Sequence, residues 1–408
     1  MVKAFKVQLI PTKEQEEKFR QSAGVARWAY NYALGKQLKN FEEGNKFIRE
    51  GELRKEITAL KKTNEYAWLG DVSAQIPKQA VRDLDQAYKR FFEIKQSITE
   101  KYTNKTLEKA KRTGKKLTAY DLNGHPKFKS KHKSMPRFFQ REDKLVISNG
   151  KVKLEKIGWV KIAEKDRFPA GKYSNPRISF DGFYWYLSVS IELENNINYQ
   201  PKTEGIGIDV GVKDLAIFNS GEKIKNINKT KEVRRLTKKL KRLQRQASRQ
   251  YEKRKKEGGE NRYRRTCNLL KLEKKILSVH RRLKNIRLNH VHQATAKLVK
   301  AKPAFIAIED LNINGMMKNK HLARAVQEQK LYEFRRQLIY KCDWNGIPLV
   351  LADRFYPSSK QCSHCGSIKK DLKLSDRTYY CKHCGFKINR DENASINLKH
   401  YGLEQFAS

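Results

Sequence analysis

Two cysteine pairs constrain this chain more than any other stretch. Cys362-x2-Cys365 and Cys381-x2-Cys384 have fifteen residues between them, a spacing at which four thiolates reach one tetrahedral Zn²⁺. Gly366 and Gly385 follow the second cysteine of each pair, where a tight knuckle favours positive φ. Four thiolates leave the ion no open position, so the single expected zinc is structural. Redox dithiols are the competing reading, and two matched pairs argue against it. His364 and His383 lie inside the knuckles and read as spectators beside four cysteines. Cys267 and Cys342 stand alone and read as buried or inert thiols. This cysteine usage fits a reducing compartment, so cytoplasm or nucleoid is expected.

The partner class follows from charge. The 408 residues carry 89 Lys+Arg against 44 Asp+Glu, a net charge of +45. Self-repulsion of that size destabilises a compact state. A polyanion partner, nucleic acid first, is the simplest reason to tolerate it. A membrane is not expected, because no apolar run approaches the ~20 residues needed to span one. The start, MVKAFKVQLIP, has too short an apolar core for a secretory signal. No small-molecule substrate is indicated.

Taken in order, residues 3–10 alternate apolar and polar, predicting a strand. Thr12 with Gln15 forms a capping-box opening for a helix to about Ser22. A second helix is expected from about Val25, and a third around Leu53, Ile57 and Leu60. A fourth runs from Pro77 to Ile98, with Val81, Leu84, Tyr88 and either Phe91 or Phe92 on one stripe. Residues 100–135 are lysine-rich and read as a mobile basic segment. From 143 to 194 the period becomes two. Asn149-Gly150 and Asp181-Gly182 mark hairpin turns, and five short strands suggest a small barrel or sandwich that the first strand joins.

Residues 195–204 read as a linker. GIGIDVG (205–211) and LAIFNSG (215–221) then open an α/β domain with a mixed sheet. From Lys229 to Glu257 there are 14 Lys/Arg against 3 Glu, a local net of +11. Val233, Leu236, Leu240 and Leu243, and after Gly258-Gly259 Leu269, Leu272, Ile276, Val279, Leu283 and Ile286, keep helical spacing. They predict an antiparallel hairpin with one apolar seam and a phosphate-contacting outer face. A strand at AFIAIED (304–310), a helix from Ala323 to Trp344, a strand at IPLVLAD (347–353) and a helix from about Asp391 complete the pattern.

Three acids stand out. Asp209 lies inside an apolar strand, where an unpaired carboxylate is costly unless it meets a metal or a hydrogen bond. Glu309 has the same character, whereas its neighbour Asp310 reads as a turn acid at a strand end. Asp391 on its own is equally a helix cap. If the two strands are neighbours and the last helix packs beside them, the three carboxylates can converge. Hard oxygen ligands in basic surroundings suit two Mg²⁺ ions and phosphodiester hydrolysis.

GIDVG with Asp209, IAIEDL with Glu309 and the cysteine segment followed by RDENA with Asp391 resemble the RuvC-like segments of the transposon-encoded TnpB (OrfB) family, similar to ancestors of type V CRISPR effectors. VARWAYNYAL, GHPKFK, FYWYLSV and YPSSKQCSHCG extend the resemblance over essentially the full length. It implies an RNase H-like (RuvC-like) nuclease domain at 199–408, with the basic hairpin at 229–300 and a zinc ribbon at 356–388. It also implies a small β-barrel (wedge-like) domain at 1–11 and 124–198, with a helical recognition insertion at 12–123. Activity and partners follow from the same resemblance: a guide RNA from the transposon end, a double-stranded DNA target beside a short motif, and catalytic Asp209, Glu309 and Asp391. Asn389 stands where the family often has Asp, and can still cap the helix. An RNA-guided or zinc-ribbon repressor without cleavage, or a transposase, are the alternatives.

Overall fold

The computed structural model describes residues 1–97, 104–118, 121–131, 134–194, 199–258, 265–373 and 375–407. They form two compact units, Met1–Asn195 and Asn196–Ser408.

In the first unit, β1 (Val2–Ile10) leads into α1 (Lys13–Glu42). The Thr12 hydroxyl accepts from the Gln15 amide at 3.3 Å, and the Gln15 side chain accepts from the Thr12 amide at 3.1 Å. This reciprocal pair caps the helix. The sequence predicts two helices here, and the structure has one. Phe19, Ser22, Ala23, Ala29, Tyr30, Ala33 and Leu34 are all buried. Their stripe stays in phase across Gly24, whose intrinsic cost of about 1 kcal/mol is small against that burial. Next come α2 (Glu50–Leu60), α3 (Gln75–Ser97) and α4 (Asn104–Thr113). On α3 Phe91 is buried and Phe92 exposed; the expected end at Ile98 lies outside the described residues.

The lysine-rich segment is not a uniformly mobile loop. Besides α4, it buries Leu122 and His125, and His125 meets the edges of Tyr88 and Phe91 at 5.3 and 5.0 Å. The Lys129 backbone exchanges two hydrogen bonds with the Asn31 side chain. The lysines are spaced among enough ring and backbone partners to dock the chain. Parts of the segment, at 100–103, 119–120 and 132–133, lie outside the described residues.

Six strands follow: β2 (Arg137–Phe139), β3 (Val146–Ser148), β4 (Lys151–Leu154), β5 (Gly158–Ile162), β6 (Tyr173–Phe180) and β7 (Trp185–Glu192). With β1 they make an antiparallel sheet in the order β2-β6-β7-β1-β5-β4-β3. Asn149-Gly150 forms the β3–β4 turn. The β6–β7 loop is longer than the two-residue turn expected: Phe180 pairs with Trp185, and the Asp181 carboxylate accepts from the amides of Phe183 and Tyr184. Phe19 meets Trp185 at 5.0 Å, so helices and sheet share one core.

The second unit opens with β8 (Ile206–Val210), β9 (Asp214–Phe218) and β10 (Lys223–Lys225). Helices α5 (Lys231–Glu257) and α6 (Cys267–Lys300) follow. Their predicted seam residues form one apolar cluster of their own, apart from the sheet's core. The joining residues 259–264, including Gly259, lie outside the described residues. Then come β11 (Ile306–Glu309), α7 (Ile313–Lys318), α8 (Ala323–Gln329), α9 (Leu331–Asn345) and β12 (Leu349–Ala352). One helix is expected over 323–344, yet Lys330 is left-handed (φ +62°) and divides it. The Gln329 side chain donates to the Gly211 carbonyl at 3.3 Å, an anchor that turns the chain there. Finally β13 (Thr378–Tyr380) pairs with β14 (Lys387–Asn389), and α10 (Arg390–Ala407) follows.

The five-stranded sheet runs β10-β9-β8-β11-β12. Pairing is antiparallel among the first three strands and parallel for β8-β11-β12. Strand alternation sorts its faces. Ile208, Val210, Ile306 and Ile308 join the cluster under α6 and α9. Ala307 and Ala352 turn to the other face with Leu398 of α10. On that face α10 lies directly on β8. A Cβ at Gly207 would meet the Ser395 carbonyl oxygen at 2.0 Å and the Lys399 amide nitrogen at 2.4 Å. Only a residue without a side chain permits this approach.

Candidate active site

The face that carries Gly207 and Ala307 also carries the acids. Ile308 pairs with Ile208, so the next step of the parallel register sets Asp209 beside Glu309. Alternation turns both toward α10, where Asp391 occupies the first turn. The helix start is capped by Asn389, whose side-chain oxygen accepts from the amides of Asp391 (3.1 Å) and Glu392 (3.4 Å). The Asp391 carboxylate is therefore not spent on capping and faces Arg390 at 3.6 Å.

Electrostatics marks the same cluster. Burial pushes the Asp209 carboxyl well above the ordinary range; Glu309 and Asp391 push the same way and Arg390 opposes them. Glu309 is raised, first by burial and also by Asp391, against the Ser358 hydroxyl and Arg390. Like charges gathered in a low-dielectric site disfavour one another's ionisation. Asp310, one residue on, is the opposite case. Its carboxylate takes Arg354 at 2.9 Å and also Arg335. The Arg354 hydrogen bond leads in holding it below the usual range, with Arg335 adding to it. The two neighbours are thus divided between an ion-paired acid and one left facing other carboxylates.

The cysteines converge as well. All four Sγ atoms lie within 4.8 Å of one another. Cys362–Cys384 and Cys365–Cys381 stand at 3.7 and 3.6 Å, close to the ~3.8 Å edge of a tetrahedron with metal–sulfur bonds of ~2.3 Å. Gly366 and Gly385 adopt φ of +75° and +72° and donate back to the Cys362 and Cys381 carbonyls. The four residues can hold a metal ion. The Ser367 hydroxyl, 3.2 Å from Cys365 and 3.1 Å from Cys381, leads in lowering both thiols. Of the lone cysteines, Cys342 is buried and Cys267 is exposed. Cys267 opens α6, before the seam begins, so of the two only Cys342 is a buried thiol.

Two residues of the acid site escape sequence reasoning. Ser358 is buried and donates to Glu309; a serine in a loop gives no periodic signal. Arg390 lies beside all three acids, and its position next to Asp391 is the one hint in the sequence. The cysteine segment is fastened to α10 by Asn393, which accepts from the Ser363 amide and donates to the Gln361 carbonyl. Asn397 donates to the Ser358 and Gln361 carbonyls.

Three family models match the chain. One described as "Probable transposase", of the OrfB type, covers residues 188–320. "Cas12f1-like, TNB domain" covers 332–398. "Helix-turn-helix domain" covers 1–46, which fold here as one strand and one long helix. Among curated proteins, "Putative RNA-guided DNA endonuclease InsQ" of Escherichia coli (strain K12) is 30% identical over 97% of this chain and 91% of its own length. A "Putative RNA-guided DNA endonuclease" of Streptomyces pristinaespiralis is 31% identical over 98% and 89%. "CRISPR-associated endodeoxyribonuclease Cas12f1" of Sulfoacidibacillus thermotolerans is 28% identical over 52% and 49%.

Proposed function

We infer, for a chain that belongs to the OrfB/TnpB family of RNA-guided DNA endonucleases, that the Asp209–Glu309–Asp391 cluster is its cutting site. Its activity is transposon-associated, RNA-guided cleavage of DNA. The observation that carries the assignment is convergence: carboxylates from β8, β11 and α10 meet, Asp209 raised by burial and by Glu309 and Asp391, and Glu309 by burial and by Asp391, with Arg390 as the opposing charge. No hydrogen bond from a described residue lowers the Asp209 carboxyl. That donor set fits Mg²⁺, which takes oxygen ligands and few protein charges. Bound by these residues, a pair of Mg²⁺ ions would supply activation of water and charge neutralisation at the scissile phosphate.

The chain's own residues prepare the site. Ser358 orients the Glu309 carboxylate through its hydroxyl. Asn389 fixes the start of α10, freeing Asp391 to face the acids. Arg390 offsets part of the negative charge. The strand order β10-β9-β8-β11-β12 supports an RNase H-like reading of this unit. The β-domain at 1–11 and 124–198 and the helices at 12–123 would read the short DNA motif. The guide, made from the transposon end, would supply target pairing.

The test is direct. The protein with its copurifying RNA, a matched double-stranded target and Mg²⁺ should cut the DNA, and EDTA should stop it. An uncut target would remove the nuclease reading in favour of a binder, and cutting or joining without RNA would favour a transposase.

We assign the cysteine site to one Zn²⁺. Cys381→Ser should release the metal and loosen the ribbon's grip on α10, lowering cleavage. Native protein without about one zinc per chain by elemental analysis would contradict this. The α5–α6 hairpin would grip nucleic-acid phosphates. Affinity for RNA should then fall by roughly 0.7–0.9 log units per log unit of salt for each phosphate contact. A flat salt response would sink that assignment.

A further inference from the structure

Between β12 and the first knuckle the chain makes a turn whose two ends bind the neighbouring acids Asp310 and Glu309. At one end Arg354 binds Asp310 at 2.9 Å. At the other the Ser358 hydroxyl donates to Glu309. Inside the turn the Asp353 carboxylate accepts from the Phe355 amide at 2.8 Å, and the Tyr356 amide donates to the Asp353 carbonyl at 3.0 Å. Tyr356 tucks onto α10, donating to the Asn397 carbonyl at 3.2 Å with its ring 4.7 Å from Tyr401. Arg354, Tyr356 and Ser358 are thus fastened to the scaffold by their side chains, whereas the Phe355 ring projects into water.

Phe355 is 89% exposed, more than any other large apolar residue among those described; Val2 and Phe41 follow at 64%. A single exposed apolar side chain is ordinary. A phenyl ring on a turn immobilised by hydrogen bonds, whose flanking residues Arg354 and Ser358 bind Asp310 and Glu309, is a different case. Its backbone has little freedom left to fold the ring away, so the ring is held out to solvent three residues from the serine that binds Glu309. The approaching molecule is a nucleic-acid strand. In a duplex the base faces are covered by their neighbours, whereas an unpaired base offers a free π-face.

We propose that Phe355 is a positioning residue that stacks on an unpaired base of the DNA strand entering the Asp209–Glu309–Asp391 site. The proposal rests on the nuclease reading above. A phenyl ring has no hydrogen-bonding group, so stacking would hold any base at that position and leave sequence choice to the guide.

The experiment compares Phe355→Ala and Phe355→Trp in the full protein loaded with its copurifying RNA. Cleavage of a matched target should slow roughly tenfold or more in the alanine variant, the range that losing one base–aromatic stack predicts, with RNA binding and melting temperature unchanged. Tryptophan should restore the rate. In the non-cutting Asp209→Asn background, 2-aminopurine placed in turn across the cut site should be quenched at one position. Phe355→Ala should relieve that quench and Phe355→Trp restore it. Wild-type cleavage in the alanine variant, or a slowing that tryptophan does not rescue with no 2-aminopurine response, would overturn the proposal. Failure of the wild-type protein to cut would instead count against the nuclease reading, while the quench would still report on stacking.

Discussion

Asp209→Asn is expected to abolish DNA cleavage while leaving RNA and target binding intact. The substitution keeps the side chain's shape and removes one of the carboxylates facing Glu309 and Asp391. Metal-assisted stabilisation is worth several kcal/mol of barrier, so the loss should be at least about a thousandfold. The same variant should not be less stable in magnesium-free buffer near pH 7. In the fold the Asp209 carboxyl is raised above its unfolded value, chiefly by burial. A raised acid contributes stability below its unfolded pKa and loses that contribution as pH rises through its folded pKa. Above its unfolded pKa the acid therefore costs the fold stability, a cost that the uncharged amide does not carry. Residual cutting near the wild-type rate, or a lower melting temperature at pH 7, would count against the assignment.

Gly207→Ala is the second large effect, and it touches no acid. The added methyl would lie 2.0 Å from the Ser395 carbonyl oxygen and 2.4 Å from the Lys399 nitrogen. Both atoms are helix backbone, so neither can rotate away. Overpacking ordinarily costs about 1–3 kcal/mol, and this contact belongs at or above the upper end. To accommodate it α10 must move off β8, carrying Asp391 with it. A displacement of about 1 Å at a reacting centre costs on the order of a hundredfold in rate. Cleavage should fall by at least that factor and the melting temperature should drop. RNA affinity should change little, because the apolar seam of α5 and α6 is a separate cluster. Unchanged melting with full cleavage would show that α10 does not depend on this close approach.

Much of this arrangement is legible in the sequence because its causes are periodic or local. The apolar seam of α5 and α6, the alternation in β8 and β11 and the knuckle glycines each follow from one repeating constraint. Asp209 stands out because a carboxylate in an apolar strand demands a reason. What escapes notice depends on partners distant in sequence. The continuity of α1 through Gly24 is decided by burial on both sides. The break at Lys330 answers to Gly211, on another element. Strands β2 and β10 have three residues each, too few to display a period. Glu309 and Asp310 look alike until Arg335 and Arg354 claim one of them. Ser358 acquires significance only from its contact with Glu309.

The cap at Asn389 has a consequence for how such a chain can change over generations. Because Asn389 rather than Asp391 secures the helix start, Asp391 is free to be replaced without unravelling α10. Its negative charge also raises the pKa of both Asp209 and Glu309, so replacement eases a repulsion instead of creating one. If Asp391 serves the cut as proposed, a lineage can thus abandon cutting in a single mutational step without losing the fold. Selection against that step has to come from the value of the DNA break itself, since folding offers no resistance to it.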